Sequence, residues 1–258
     1  MITSARNPKV QWVRSLQARS KARREERLFV VEGVRLVEEA LQAGVMARLV
    51  LYSGEVGERE AKLLQRFSAQ GCPLEEVTPD VMGRASDTQT PQGVLAVLPI
   101  QPLPLPPRLD FVFIPDGVRD PGNLGTMLRT AAAAGANAVL LPPGTVDVYS
   151  PKVVRAAMGA HFRLPLHLAG WEEITAILKG AGLESFLADS GGEQDYTLAD
   201  FRAPLALILG GEAEGAGNTA RRLADTRVRI PMPGGAESLN AAIAAAVLMF
   251  EVVRQRGN

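Results

Sequence analysis

The sequence predicts an α/β protein of two domains. Its 258 residues, 47% of them apolar, are enough for one large domain or two ordinary ones. Short apolar runs alternate with helical patterns along the whole chain, as in layered α/β domains. Five prolines fall within PIQPLPLPP (99–107), which can form neither a helix nor a central strand. We therefore predict an N-terminal domain at 1–98, a linker at 99–108 and a C-terminal domain at 109–258.

The N-terminal domain is expected to be a small layer of strands and helices. LFVVE and ARLVLYS are strand-like, and EEV and GVLAVLPI supply two more short strands. The first helical pattern closes at Gly44. The predicted strands lie at 28–32 and 47–53, and the predicted helices lie at 34–44 and 58–71.

The C-terminal domain repeats this alternation with more apolar strands. Its strand-like runs are apolar on both faces, which is typical of buried parallel strands. The predicted strands lie at 110–116, 137–143, 185–190 and 205–211. The predicted helices lie at 123–135, 151–160, 171–180 and 217–224, with a last helix from Ser238 to about Arg254.

The last helix is apolar without a break from Ala241 to Phe250. A helix that is apolar all round must be covered on every side, and this stretch is too short to cross a bilayer. Two alternatives remain open. The helix forms a subunit interface, which predicts a homodimer through the C-terminal domain, or it is buried within its own chain.

Composition excludes several classes of protein. No run of 18 apolar residues occurs, and the N-terminus lacks the apolar core of a signal peptide, so we expect a cytoplasmic protein with no membrane partner. One cysteine, Cys72, excludes an internal disulfide, and it is expected to be inert. With only His161 and His167 beside it, no zinc-type ligand set exists and no metal is expected.

Positive charge is concentrated at the N-terminus of a chain whose formal net charge is zero. Residues 1–30 contain eight Lys and Arg against two Glu. Such a basic arm is typical of a contact with a phosphate backbone, but it is equally typical of a solvated helix face. The candidate RNA contacts are Arg6, Lys9, Arg14, Arg23 and Arg24.

Three turns broken by Gly and Pro, each entered from an apolar run, carry most groups that could do chemistry. DGVRDPGN, from Asp116, precedes a helix with Asn123 near its start, where backbone N–H groups can meet an anion. The others are ILGGEAEG (208–215) and IPMPGGAESLN (230–240), in which Ser238 is a ready N-cap. Neither GxGxxG after a first strand nor GxxxxGK[ST] occurs, which disfavours a Rossmann dinucleotide site and a P-loop.

Together these spacings resemble a known family. N-x-G-x-x-x-R at 123–129, G-x-E-x-x-G at 210–215, and I-P-M-x-G followed by S-L-N at 230–240 are similar to the three motifs of the SpoU (TrmH-type) RNA ribose 2′-O-methyltransferases of the SPOUT superfamily. The resemblance covers about 110 to 256 and includes SPKVVRAAMGAHFRLP (150–165). The N-terminal segment is similar to the substrate-binding domain of rRNA-directed members, which looks like a small RNA-binding ribosomal-protein fold.

This resemblance implies a trefoil knot in the C-terminal domain, a homodimer, and S-adenosylmethionine bound in the knot. The family's cofactor-binding positions fall on Gly210, Gly215, Ile230, Met232 and Leu239. Its catalytic positions fall on Asn123, Arg129, Glu212, Ser238 and Asn240. One departure is Ala241-Ala242, where the family often has Val-Ser; this removes a hydroxyl but no catalytic group.

The chemistry brings a ribose 2′-hydroxyl in line with the sulfonium methyl and removes its proton. For the family, an arginine has been proposed as the base that takes this proton. A base must be neutral, and holding a guanidinium neutral near pH 7 costs roughly 7–9 kcal/mol. Arg129 is therefore expected to clamp a phosphate and the ribose instead. Asn123 and Glu212 are expected to orient Arg129 and the nucleotide, while Ser238 and Asn240 hold the loop.

The resemblance thus predicts an RNA ribose 2′-O-methyltransferase, with 23S rRNA favoured over tRNA because of the N-terminal domain. The alternative is an RNA-binding or ribosome-assembly factor that kept the fold and lost catalysis. The presence of Arg129, Glu212 and Asn240 favours the enzyme.

Overall fold

The computed structural model describes residues 1–54, 56–212 and 215–257. The chain forms two compact units. The first consists of Met1–Gln101 with Tyr149–Phe162, and the second of Pro102–Val148 with the chain from Arg163 onward. The segment Tyr149–Phe162 therefore packs with the N-terminal residues, although its sequence lies inside the predicted C-terminal domain.

The first unit is built on a four-stranded sheet of order β1-β4-β2-β3. The central strand β4 is antiparallel to β1 and β2, and β2 is parallel to β3. The strands are β1 (Leu28–Glu32), β2 (Leu49–Tyr52), β3 (Leu74–Glu76) and β4 (Val94–Pro99). The helices are α1 (Pro8–Ala18), α2 (Ser20–Glu26), α3 (Val34–Gln42), α4 (Glu58–Ala69) and α5 (Pro79–Ala85).

Most of these elements lie where the sequence predicts them, but the helices α1 and α2 were not predicted, and neither was α5. Its seven residues include a glycine, and the start is set by Thr78, whose hydroxyl accepts from the Val81 N–H at 3.4 Å. Pro99 ends β4 and so is not part of the predicted linker. Cys72 is buried, and burial raises the pKa of its thiol, which keeps it in the less reactive protonated form.

The basic arm forms α1 and α2, whose apolar side chains enter the core of the first unit. Val10, Val13 and Leu16 are completely buried. Arg23 is also buried, with 4% of its surface exposed, and it donates to the carbonyls of Leu16 at 2.6 Å and Gln17 at 3.0 Å. This corrects the sequence-based expectation for Arg23: it binds the last turn of α1 and is not available to RNA.

The role of Arg23 can be measured as stability. Arg23→Ala leaves two carbonyl oxygens at the end of α1 without this donor, so we expect the free energy of unfolding in urea to fall by about 1–3 kcal/mol. Arg24→Ala is the matched control, because Arg24 is exposed and bonds Ser20 Oγ, so its effect should stay within about 0.5 kcal/mol. Equal losses in both variants would contradict this role.

The second unit contains a seven-stranded sheet of order β7-β6-β5-β10-β8-β11-β9, in which every pairing is parallel. Its strands are β5 (Phe111–Asp116), β6 (Ala138–Leu141), β7 (Leu166–Leu168), β8 (Glu184–Ala188), β9 (Gln194–Asp195), β10 (Leu205–Gly210) and β11 (Thr226–Arg229). The helices in chain order are α6 (Pro121–Ala133), α7 (Pro151–Ala157, packed in the first unit), α8 (Trp171–Ala181), α9 (Asn218–Leu223) and α10 (Ala241–Arg256).

The four predicted strands of this domain are present, and three further strands were missed. β7, β9 and β11 are two to four residues long. In β11 only Val228 is buried, so the strand carries no apolar run. Leu105, within the predicted linker, packs against the core of the second unit.

The last helix has one buried face and one open face. It packs against α6 and β10. Ile243 and Phe250 are 52% and 49% exposed in the single chain. The alternative in which α10 is wholly buried within its own chain is therefore wrong. No helix in the described part of the chain has the length and hydropathy needed to span a bilayer.

Candidate functional site

The site lies at the carboxyl ends of two adjacent parallel strands, β5 and β10. Gly210 at the end of β10 is paired in register with Asp116 at the end of β5. From β5 the chain proceeds to β6 and β7 on one side, whereas β10 and β8 lie on the other. This reversal of strand order opens a crevice above the strand ends, where ligands of parallel α/β sheets bind.

At Gly210 and Gly211 the turn after β10 approaches its neighbours too closely for side chains. A Cβ at Gly210 would overlap the backbone of Gly215 and Ala216, and a Cβ at Gly211 would overlap the carbonyl of Gly117. Gly215 has φ +64°, in the region that favours glycine. Residues 213–214 of the predicted cofactor segment lie outside the described residues. The turn therefore presents backbone to the crevice.

Asp116 fixes this turn and was not singled out by the sequence patterns. Its carbonyl accepts from the Gly211 N–H at 2.8 Å, and its buried carboxylate accepts from the Gly217 N–H at 2.7 Å. Asp116 thereby holds both ends of the turn against the end of β5.

Three predicted catalytic residues, each from a different turn, form a hydrogen-bonded chain. Asn123 donates through Nδ2 to Glu212 Oε1 at 2.5 Å. Asn240 donates through Nδ2 to Asn123 Oδ1 at 3.1 Å. The side-chain amide of Asn123 is thus both donor and acceptor. The backbone of Asn123 is held by Asp120, whose Oδ1 accepts from the backbone N–H of Asn123 at 2.8 Å. We call Glu212, Asn123 and Asn240 the polar triad.

The N-cap of α10 is Asn240, which corrects the prediction for Ser238. Asn240 Oδ1 accepts from the N–H groups of Ala242 at 2.9 Å and Ile243 at 3.3 Å. Ser238 is exposed and has no hydrogen-bond partner among the described residues. Asn240 therefore caps the helix with its oxygen while its nitrogen binds Asn123.

Arg129 lies apart from the polar triad within this chain. It is on α6, six residues or about 9 Å along the helix axis from Asn123. Its side chain is exposed and finds no ion-pair or hydrogen-bond partner in the described part of the chain. In this chain Asn123 and Glu212 bind one another and neither bonds Arg129, so their expected role in orienting Arg129 and the nucleotide stays a prediction.

The loop between β11 and Asn240 contributes apolar surface. Ile230 and Met232 are half-buried, and Leu239 is 37% exposed. The Gly235 N–H donates to the Met232 carbonyl at 3.1 Å and makes a turn in the loop. Apolar side chains here, with the bare backbone at Gly210, suit the adenosyl part of S-adenosylmethionine, which needs an apolar slot and backbone partners.

The remaining predicted RNA contacts differ in availability. Lys9 is ion-paired with Glu75. The exposed side chains of Arg6 and Arg14 have no partner among the residues that the structure describes. No group of three or more potential metal ligands occurs within the described ranges.

Two segments of the chain match known protein families. Residues 110–250 match the SpoU rRNA Methylase family. The chain belongs to this family. Residues 7–96 match the MRM3-like substrate binding domain. This SpoU methylase is therefore an enzyme, an S-adenosylmethionine-dependent RNA methyltransferase.

Similar proteins extend over nearly the full length of this SpoU methylase. The 23S rRNA (guanosine(2553)-2′-O)-methyltransferase RlmP of Bacillus subtilis is 34% identical, over 97% of this chain and 98% of its own. A 23S rRNA (uridine(2479)-2′-O)-methyltransferase of Streptomyces viridochromogenes is 35% identical, over 99% and 92%. The crystal structure of an AdoMet-bound rRNA methyltransferase from Sinorhizobium meliloti superimposes with a TM-score of 0.89 at 34% identity, covering 98% and 97%.

The double role of Asn240 predicts different outcomes for two substitutions. Asn240→Ala removes the helix cap and the bond to Asn123. The free energy of unfolding should therefore fall by about 0.5–2 kcal/mol, and the rate of methyl transfer should also fall. Asn240→Asp keeps the capping oxygen, favoured at a helix N-terminus, but loses the amide donor, so stability should be retained while transfer falls. Urea unfolding and transfer of radiolabelled methyl groups measure the two effects.

The control is Ser238→Ala, which should change the unfolding free energy by less than about 0.5 kcal/mol. If Ser238→Ala destabilises the protein as much as Asn240→Ala, the cap assigned here is wrong.

Proposed function

We propose that this methylase transfers the methyl group of S-adenosylmethionine to a ribose 2′-hydroxyl of 23S rRNA. The observation that carries the proposal is the polar triad at the strand-order reversal. The relatives named for 23S rRNA align over nearly the whole chain, including the N-terminal unit, which favours rRNA over tRNA. The same similarity to proteins named as 2′-O-methyltransferases favours an enzyme over a non-catalytic factor.

S-adenosylmethionine supplies an electrophilic sulfonium methyl when bound. The chain's own part is to hold it between the backbone of Gly210 and Gly215 and the side chains of Ile230, Met232 and Leu239. An apolar slot also excludes water from the reacting centre, which strengthens the electrostatic interactions there.

The proposal includes a trefoil knot around this slot. After β11, which lies beyond β8 and β10, the chain returns to Asn123 beside the end of β5. The loop 230–240 thus crosses over the ends of the intervening strands before α10 packs against α6. This crossing supports a threaded chain, which is rare among folds.

In the proposed mechanism Arg129 acts on the RNA. Its guanidinium has no partner in the described part of the chain and can bind a phosphate and the ribose bidentately, which places the 2′-hydroxyl for in-line attack. The proton leaves to water or to a phosphate oxygen. The polar triad keeps the three turns in fixed relative positions.

Removing the Arg129 guanidinium tests this mechanism. Arg129→Ala should abolish methyl transfer to 23S rRNA while calorimetric affinity for S-adenosylmethionine stays within a few-fold, because Arg129 is assigned to the RNA side. Arg129→Lys should also be poor, since a point charge does not replace a planar fork. Arg222→Ala, which removes an exposed arginine of α9, is the matched control and should retain activity. Near-normal turnover of Arg129→Ala would remove Arg129 from the mechanism.

The methylase is also proposed to be a homodimer through α10. Ile243, Ala246, Val247 and Phe250 recur at i, i+3, i+4 and i+7 and form one apolar stripe. All four are exposed or half-buried in the single chain. A second copy of the same stripe would bury them by a self-complementary contact.

Charge on this stripe should dissociate the dimer. Phe250→Asp should shift the mass in solution from twice the chain mass of 27.5 kDa to a single chain, because a carboxylate would be buried without a partner. Light scattering on a sizing column measures the mass. Met46→Asp, at an exposed methionine of the first unit, should leave the dimer intact. A parent protein that is monomeric at micromolar concentration would contradict the proposal.

The N-terminal unit is proposed to hold the RNA, with a ribosomal-protein-like fold, and the protein is proposed to act in the cytoplasm. Among the candidate RNA contacts, Arg6 and Arg14 are exposed and have no side-chain partner in the described part of the chain, so they are available for phosphate. Each phosphate neutralised would contribute nearly one unit to the dependence of log affinity on log salt.

A further inference from the structure

A groove opens at one end of the sheet in the first unit, where β4 ends between the starts of β1 and β2. Leu28 is paired with Pro99, and the Ile100 N–H donates to the Arg27 carbonyl at 2.7 Å. The groove has a volume of about 710 Å³, within the range of ligand sites. It is lined by Trp12, Glu26, Arg27, Leu28, Arg48, Pro99, Ile100 and Gln101.

Two available cations flank this groove. Arg27 and Arg48 are exposed, and neither has a side-chain partner within the described part of the chain. Because β4 lies between β1 and β2, the two arginines stand on opposite sides of it, with backbones about 10 Å apart. Arg27 is the C-cap residue of α2 and has φ +54°, a left-handed conformation.

An oriented aromatic ring completes the groove. Trp12 is half-buried, packs against the core of the first unit, and donates through its indole N–H to Glu26 Oε2 at 2.5 Å. These contacts hold the ring in one orientation, so a ligand that stacks on it does not have to order the side chain. Leu28, Pro99 and Ile100 add apolar surface beside the ring.

We propose that this groove binds an unpaired nucleotide of RNA, with the base against Trp12 and the flanking phosphates on Arg27 and Arg48. An aromatic platform between free cations is the arrangement that binds single-stranded nucleic acid, because every base has a face that stacks and every phosphate a charge. Glu26 also lines the groove and keeps its negative charge while it accepts from the indole, so the groove carries two positive charges, on Arg27 and Arg48, against one negative charge. The proposal rests on the proposed function in taking the RNA substrate as the ligand.

Tryptophan fluorescence reports stacking directly, because the chain has only two tryptophans, Trp12 and Trp171. Trp171→Phe leaves Trp12 as the sole emitter, and Trp12→Phe leaves Trp171. The probe is an unpaired RNA of about 12 nucleotides and mixed sequence. We expect saturable quenching in Trp171→Phe and little in Trp12→Phe, and weaker quenching when the same RNA is annealed to its complement. Equal responses of the two variants, or no response of Trp171→Phe, would overturn the proposal.

Affinity for the same RNA tests the cations. Arg27→Ala and Arg48→Ala should each weaken binding and lower the salt slope by about 0.7, because each variant neutralises one phosphate fewer. Trp12→Leu should weaken binding about 5- to 150-fold, whereas Trp12→Phe should retain most of it. Arg35→Ala, at an exposed arginine of α3 outside the groove, is the control and should bind as the parent does. An effect of Arg35→Ala equal to that of Arg48→Ala would place the RNA elsewhere.

The two proposals fail in different ways. If the parent quenches and binds as expected but transfers no methyl group to 23S rRNA, the proposed function fails and the groove stands. If the parent methylates 23S rRNA while the groove variants bind RNA normally, only the groove fails. Quenching of Trp171→Phe by an acidic peptide and not by RNA would assign the groove to a protein partner and overturn the proposal.

Discussion

The parallel pairing of β5 with β10 is the interaction on which the site depends. It places Gly210 beside Asp116, so that the turns after both strands emerge at the same edge of the sheet. The buried Asp116 carboxylate then fixes the second turn through the Gly217 N–H. A side chain at Gly210 would push this turn away, because the space that it needs is filled by backbone. The absence of side chains at Gly210 and Gly211 is therefore a packing requirement as well as a feature of the proposed cofactor slot.

Asn240 couples this site to the last helix. One side chain caps α10 through its oxygen and binds Asn123 through its nitrogen, so the start of the helix and the position of the loop before it are set together. The same helix carries the apolar stripe ending at Phe250. A partner subunit that covers the stripe would therefore contact the element that fixes the polar triad. The loop that is proposed to bind the cofactor and the proposed interface are therefore both attached to α10.

The basic residues of the arm, which look equivalent in the sequence, have different environments in the folded unit. Arg23 is buried on the carbonyls of α1, Lys9 is paired with Glu75, and Arg14 stays exposed. Arg48 lies far from the arm in sequence, yet it lines the same groove as Trp12. The capacity of this unit to bind phosphate thus depends on which of its arginine side chains have no partner among the described residues. A count of basic residues along the sequence does not give this.

The apolar strands of both sheets and the three motifs could be predicted from the amino-acid sequence, because periodicity and motif spacing are local properties of the chain. The strands β7, β9 and β11 could not, since they are short and depend on pairing with neighbouring strands. Local patterns also assigned the capping role of Asn240 to Ser238 and linked neither Glu212 nor Asn240 to Asn123. Folding settled these points differently: the bonds from Asn123 to Glu212 and to Asn240 join residues 89 and 117 positions apart. Such contacts depend on which strands lie side by side, which no local pattern specifies.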